Sequence, residues 1–265
     1  MWRAKKHNII IYREFWIPHL IFLSILNTQN KIVYFNINHE LNSLQYRKIR
    51  KFIVHLFMKK CQYLLLLEGK EHLVSAPLNQ HLKVLPFSVV PISKKITTYP
   101  ITIGVAGAIR SEKGIESTLD EVKKINLTSF QTQVKFQVGS PNIDIALLQK
   151  KFPTFNYIDT SSDHSYHAFL KNCDVIIFNF EHFDYNLRHS GVLIDAISHQ
   201  CVPIVPKLPL MTSLVTCPTP IGVVREDGQS LEDAIAKAIS LVQEIEKHQT
   251  WELFFSQRKP YTTLD

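Results

Sequence analysis

The chain has 265 residues, 45% hydrophobic and 20% charged, the balance of an ordinary soluble α/β protein with room for one large or two modest domains. A net charge of +7 favours anionic partners: nucleic acid, an anionic membrane surface or a phosphorylated substrate. Four widely spaced cysteines (Cys61, Cys173, Cys201 and Cys217) form no CxxC pair, which fits reduced thiols in a cytoplasmic protein better than a disulfide framework.

The first sixty residues are basic, with Lys5, Lys6, Arg13, Arg47, Lys48, Arg50 and Lys51 among their cations against only Glu14 and Glu40. No signal peptide is recognisable, and the apolar run from Ile17 to Leu26 is too short to span a bilayer. Residues 31–36 are β-branched and aromatic, as in a buried strand. Residues 43–60 set Leu44, Ile49, Phe52, Ile53, Leu56 and Phe57 among basic residues, the pattern of an amphipathic helix. This helix is either a solvated face or a patch that docks on anionic lipid. A nucleic-acid role is not expected, because aromatics are few there and no recognised motif is present. Short strands are predicted at 63–67 and 83–86, and Pro86, Pro91 and Pro100 then mark an interdomain linker.

From Ile101 the pattern becomes regular. Strands are predicted at 101–106, 133–138, 155–158, 174–178, 202–205 and 221–224, alternating with helices at 115–125, 142–151, 164–171, 191–199 and 230–247. Such alternation implies a doubly wound parallel sheet of Rossmann type, whose ligands bind beyond the C-terminal strand ends.

Two strand-to-helix turns carry the chemistry. The first runs from Gly104 to Gly114, holds three of the eight glycines, and sets Arg110 three residues before Lys113. It fits neither the GxGxxG nor the GxxxxGK[ST] pattern. A guanidinium can chelate a phosphate bidentately while an ammonium adds a point charge. An ordinary turn with exposed basic residues would read the same way. In the second turn, Ser190-Gly191 stands where a helix begins, so free N–H groups and the positive dipole end could hold an anion. Asp195, one turn on, could accept from sugar hydroxyls, or simply face solvent. Histidine pairs such as His164/His167 and His182/His189 lack carboxylate or thiolate partners at metal-ligand spacing, so no metal site is expected.

In combination these segments resemble the retaining GT-B glycosyltransferases of the family-4 (glycosyltransferase group 1) type. Gly107, Ile109, Arg110, Lys113 and Gly114 match their G-x-[IL]-R-x-x-K-G turn. Phe136–Gly139, Asn172-Cys173-Asp174-Val175, the stretch from Ser190 to Val205, and Gly222 to Gly228 match later landmarks in order. Trp251 resembles the last helix, which crosses back to the first domain. The resemblance implies that Arg110 and Lys113 bind the donor diphosphate and stabilise the leaving nucleotide. It further implies that Gly107, Arg188, Ser190, Gly191 and Val192 contribute to the same site, and that Asp195 holds the ribose. It implies a metal-independent hexosyltransferase with no cofactor beyond the nucleotide-diphosphate sugar donor, and no DxD motif is present. The acceptor would be a glycan or a lipid-linked molecule in cell-surface polysaccharide synthesis, on the cytoplasmic side of the membrane. His39, after the strand at 31–36, stands at a family position often held by a catalytic-site histidine, though it also fits a loop histidine.

Two departures from the family are visible. Leu187 stands where a second acidic residue is usual, with Glu181 and Asp184 nearby, and Asp195 replaces the usual Glu. The part resembling an acceptor-side domain is short, with no glycine before Gly69. The expected organisation is a truncated α/β domain over 1–92, a nucleotide-sugar-binding domain over 93–247 and a crossing helix over 248–265. An inactive partner subunit that binds nucleotide sugar without transfer is the alternative.

Overall fold

The structure, a computed structural model, describes strand backbone at 9–12, 32–35, 63–67 and 82–85. It further describes residues 87–92, 99–108, 110, 113–126, 130, 134–180, 185 and 190–258, without the side chains of 246 and 247. The chain divides into two compact units, one within residues 1–87 and the other within residues 88–265.

In the first unit, β1 (Ile9–Tyr12), β2 (Ile32–Phe35), β3 (Tyr63–Leu67) and β4 (Leu82–Leu85) form a parallel sheet in chain order. Three of these coincide with predicted strands. The sequence reading passed over β1, whose four residues (Ile-Ile-Ile-Tyr) are too few to show an alternation. The expected helix over 43–60 and the run from Ile17 to Leu26 lie outside the described residues.

The second unit holds six parallel strands: β5 (Ile101–Ala106), β6 (Val134–Ser140), β7 (Asn156–Asp159), β8 (Val175–Ile177), β9 (Val202–Pro206) and β10 (Val223–Arg225). Their spatial order is β10-β9-β8-β5-β6-β7. The intervening helices are α1 (Ile115–Val122), α2 (Asn142–Lys151), α3 (Asp163–Asn172), α4 (Gly191–Ser198) and α5 (Pro209–Thr216). After β10 come α6 (Leu231–His248) and α7 (Thr250–Gln257). Right-handed crossovers place α1 and α2 on one face of the sheet and α3, α4 and α5 on the other. The expected doubly wound architecture is what the chain forms. Helix α5 was missed: eight residues rich in β-branched and hydroxyl side chains show no clear 3.6-residue period, although Pro209 in the first turn favours a start there. Helix α1 stops at Val122, three residues before the predicted end, and Ile125 continues the apolar pattern from a turn.

The core explains two glycines. Phe169 of α3 is almost fully buried and lies directly over the middle of the sheet. A Cβ on Gly139 would come within 2.8 Å of its ring, and one on Gly104 within 3.0 Å of it and 2.6 Å of Cys173 Sγ. The glycines on β5 and β6 let α3 lie close against the sheet. Asp174, which resembles a family landmark, is a buried structural residue. Its Oδ2 accepts from the Thr102 N–H at 2.7 Å, tying the entry of β8 to that of β5. Arg225 of β10 forks onto Glu121 of α1, with N–O distances of 3.1 and 2.6 Å.

At the C-terminal end Trp251, Phe254 and Phe255 of α7 form an aromatic cluster. The buried Arg258 guanidinium sits 4.7 Å from the Phe254 ring centroid and donates to the Cys217 carbonyl, while Thr219 Oγ1 donates to Gln257 Oε1 at 2.8 Å. The N–H groups of Val89 and Ile92 bond the carbonyls of Arg258 and Ser198, at 3.4 and 2.9 Å, which holds the segment entering the second unit onto that unit.

Candidate functional site

Strand β5 is the pivot of the second sheet: the chain leaves it toward β6 on one side, while β8 pairs on its other side. The loops after β5 and β8 therefore depart toward opposite faces, leaving a crevice at the C-terminal end of two neighbouring strands. Parallel α/β sheets bind ligands at such a switch point.

The turn after β5 begins with Gly107, at φ +130°, a conformation side-chain-bearing residues rarely adopt. Its N–H donates to the Gly139 carbonyl at 3.0 Å, and its own carbonyl accepts from Ser140 Oγ at 3.0 Å, which pins the turn to the end of β6. Lys113 folds back over this glycine: its Nζ lies 3.1 Å from where a Gly107 Cβ would sit. The Lys113 N–H bonds the Arg110 carbonyl at 2.9 Å, closing a tight turn that carries both cations, with Arg110 exposed. Gly114, left-handed at φ +58°, ends the turn and precedes α1, where its carbonyl accepts from Ser117 Oγ and Thr118 Oγ1.

On the other side of the crevice Ser190 is the N-cap of α4, and its Oγ accepts from the Leu193 N–H at 3.3 Å. The helix itself supplies no acceptor for the N–H groups of Gly191 and Val192. Gly191 is exposed, and a Cβ there would meet nothing within 4 Å. The two sides are tied together: Asn179, just past β8, donates from Nδ2 to Ser117 Oγ of α1 at 3.2 Å. Behind it Phe178, Phe180 and Tyr185 stack in series, with centroids 5.7 and 4.0 Å apart.

Asp195 is half-buried on the second turn of α4 and already has a partner. Tyr166 of α3 donates its hydroxyl to Asp195 Oδ2 at 3.0 Å. Burial, then the neighbouring Asp195 charge, push the Tyr166 phenol well above its ordinary range, so it remains a donor at any physiological pH. The adjacent His167 bonds through Nδ1 to Nε2 of the buried His199 at 2.8 Å. Sequence reasoning missed Tyr166, His199, Asn179 and Ser117, whose partners sit on other elements.

The structure thus brings Gly107, Arg110 and Lys113 to one strand end, and Ser190, Gly191, Val192 and Asp195 to the helix that follows its neighbour. His39, Arg188, Ile109, Glu181, Asp184, Leu187 and the His182/His189 pair lie outside the described residues. Among the described residues no group of three or more His, Cys, Asp or Glu side chains could hold a metal ion. Among them, too, no helix is long and apolar enough to cross a membrane.

No family model and no curated protein matches the sequence. Solved structures do. HepE of Anabaena in complex with UDP-glucose is matched over 95% of this chain and 74% of its own, with a TM-score of 0.57 at 12% identity. The lipopolysaccharide outer core galactosyltransferase WaaB is matched over 96% and 72%, with a TM-score of 0.58 at 10% identity. A trehalose-6-phosphate synthase is matched over 97% and 71%, with a TM-score of 0.58 at 10% identity. The fold is GT-B. The fold class expected from the sequence is therefore observed, and the GT-B likeness takes in almost the whole chain rather than the second unit alone.

Proposed function

We propose that this GT-B chain is a glycosyltransferase that takes a sugar from a nucleoside-diphosphate sugar and passes it to a glycan or lipid-linked acceptor in cell-surface polysaccharide synthesis. One observation carries the reading: a two-cation turn and a helix N-terminus follow neighbouring central strands at the switch point of a parallel sheet. A diphosphate there meets Arg110 and Lys113 from one side and the Gly191 and Val192 N–H groups from the other. The left-handed Gly107 keeps the turn free of a side chain beside the Lys113 ammonium.

In the reaction these groups act on the leaving nucleotide. As the sugar–phosphate bond lengthens, negative charge grows on the diphosphate, and fixed cations and amide donors stabilise it without reorganising. That supports a metal-independent transfer. Asp195 binds the donor ribose, Arg188 adds a further cation on the loop before α4, and His39 serves the acceptor side. The working division is an acceptor side over 1–92, a donor side over 93–247 and a connecting helix over 248–265. The enzyme works at the cytoplasmic face of a membrane, with the basic segment before residue 60 on anionic lipid.

A second reading, donor binding without transfer, is favoured by Leu187, which stands where the resembling family usually carries a second acidic residue. One pair of measurements separates the two. Titration calorimetry with UDP and GDP should show binding that is lost on combining Arg110→Ala with Lys113→Ala, and folded wild-type protein that binds neither nucleotide overturns both readings. Release of labelled sugar from a nucleotide sugar by the wild type establishes transfer chemistry, and binding without release leaves the second reading standing.

A further inference from the structure

The neighbouring residues Tyr166 and His167 of α3 grip two residues one turn apart, Asp195 on α4 and His199 at its C-cap. Tyr166 holds the Asp195 carboxylate, and His167 holds His199. The grip is reinforced within α4, where the His199 N–H bonds the Asp195 carbonyl at 3.0 Å. The rings of Tyr166 and His167 lie 5.4 Å apart, and those of His167 and His199 5.1 Å apart. Asp195 therefore cannot swing as a surface aspartate does.

This has a chemical consequence. An ionised carboxylate accepts about four hydrogen bonds over its two oxygens. The tyrosine uses one position on Oδ2, which leaves Oδ1 and the rest of Oδ2 at a fixed orientation. Two acceptor oxygens about 2.2 Å apart, held in one plane, suit the paired hydroxyls of a vicinal diol. Resting on the reading of this crevice as a nucleotide site, we propose that Tyr166 is a positioning residue that locks Asp195 to receive the ribose diol. Selection of ribose over deoxyribose then depends on a residue 29 positions away on another helix.

The test uses two probes, UDP and 2′,3′-dideoxyuridine 5′-diphosphate, titrated by calorimetry into the full chain. Wild type favours UDP by on the order of tenfold, as expected for hydrogen bonds to a charged acceptor. Y166F is expected to lower UDP affinity by roughly three- to tenfold and leave the dideoxy probe within twofold, so the ratio collapses. Adding Y166F to D195A should change neither probe further. If Y166F weakens both probes equally, or leaves the ratio intact, the positioning role is wrong although the site still binds nucleotide. If wild type binds both probes equally, Asp195 does not read the ribose and this proposal alone falls. Wild type that binds neither removes the nucleotide reading itself, and this proposal with it. Should Y166F fail to fold, Y166H supplies the second arm: the shorter ring does not reach Asp195 Oδ2, the carboxylate is released and the ratio drops, whereas an unchanged ratio overturns the proposal.

Discussion

Gly107→Ala perturbs both the backbone and the electrostatics of the candidate site. The residue sits at φ +130°, so alanine there carries strain on the order of 1–3 kcal/mol. The new Cβ would stand 3.1 Å from Lys113 Nζ and 3.5 Å from Lys113 Cδ. No backbone atom comes as near, so the lysine moves before the fold does, and the stability loss stays at the low end, about 1–2 kcal/mol. Binding suffers separately, because the ammonium is displaced from the turn. Loss of one charge-assisted contact to a diphosphate corresponds to about 1.5–3 kcal/mol, on the order of tenfold or more in Kd. Urea unfolding would measure the first effect and calorimetry with UDP the second. The decisive comparison is the double variant. If Gly107 acts on binding only through Lys113, G107A changes stability but not affinity in a K113A background. An equal loss of affinity in both backgrounds would show that Gly107 does not act through Lys113, and wild-type stability for G107A would show that the positive φ is not needed there.

Other predictions follow from the same geometry. Phe169→Ala removes a buried ring from over Gly104 and Gly139 and should cost about 3–5 kcal/mol in urea unfolding. Gly139→Ala overpacks the same contact, since its Cβ would lie 2.8 Å from the ring, and should cost about 1–3 kcal/mol. Arg225→Lys keeps the charge but loses the two-pronged bond to Glu121. Because the pair is partly exposed it should cost only about 1 kcal/mol, read by thermal unfolding against wild type. The raised Tyr166 phenol predicts a pH effect. The folded state keeps that proton more tightly than the unfolded chain, so the contribution is complete below the ordinary tyrosine range and is lost as pH rises beyond it. Wild type should therefore lose stability more steeply than Y166F above about pH 10. Parallel alkaline unfolding curves would contradict this.

How much of this was legible in the sequence follows from which interactions are local. Strand–helix alternation from Ile101 onward reflects burial on both sheet faces, and the six-stranded sheet appears where that pattern placed it. The two turns were legible because glycines, Arg110, Lys113 and the Ser190 cap act through neighbouring residues. The grip on Asp195 was not, because Tyr166 and Asp195 share no helix and no spacing rule links them; only the packing of α3 beside α4 brings them together. The same limit applied to Asp174, which matched a family landmark but gave no hint that its partner is the Thr102 backbone, 72 residues earlier. Gly104 and Gly139 could be noticed as glycines, but their reason, the Phe169 ring, lies on a helix that begins two strands beyond Gly104 and one beyond Gly139.

The proposed function puts a nucleoside diphosphate in the crevice between the turn after β5 and the start of α4. A crystal soaked with UDP tests it most directly. The diphosphate is expected within about 2.7–3.2 Å of the Arg110 guanidinium, the Lys113 ammonium and the Gly191 N–H, and the ribose beside Asp195. A diphosphate bound elsewhere on the chain, with that crevice filled only by water, would contradict it.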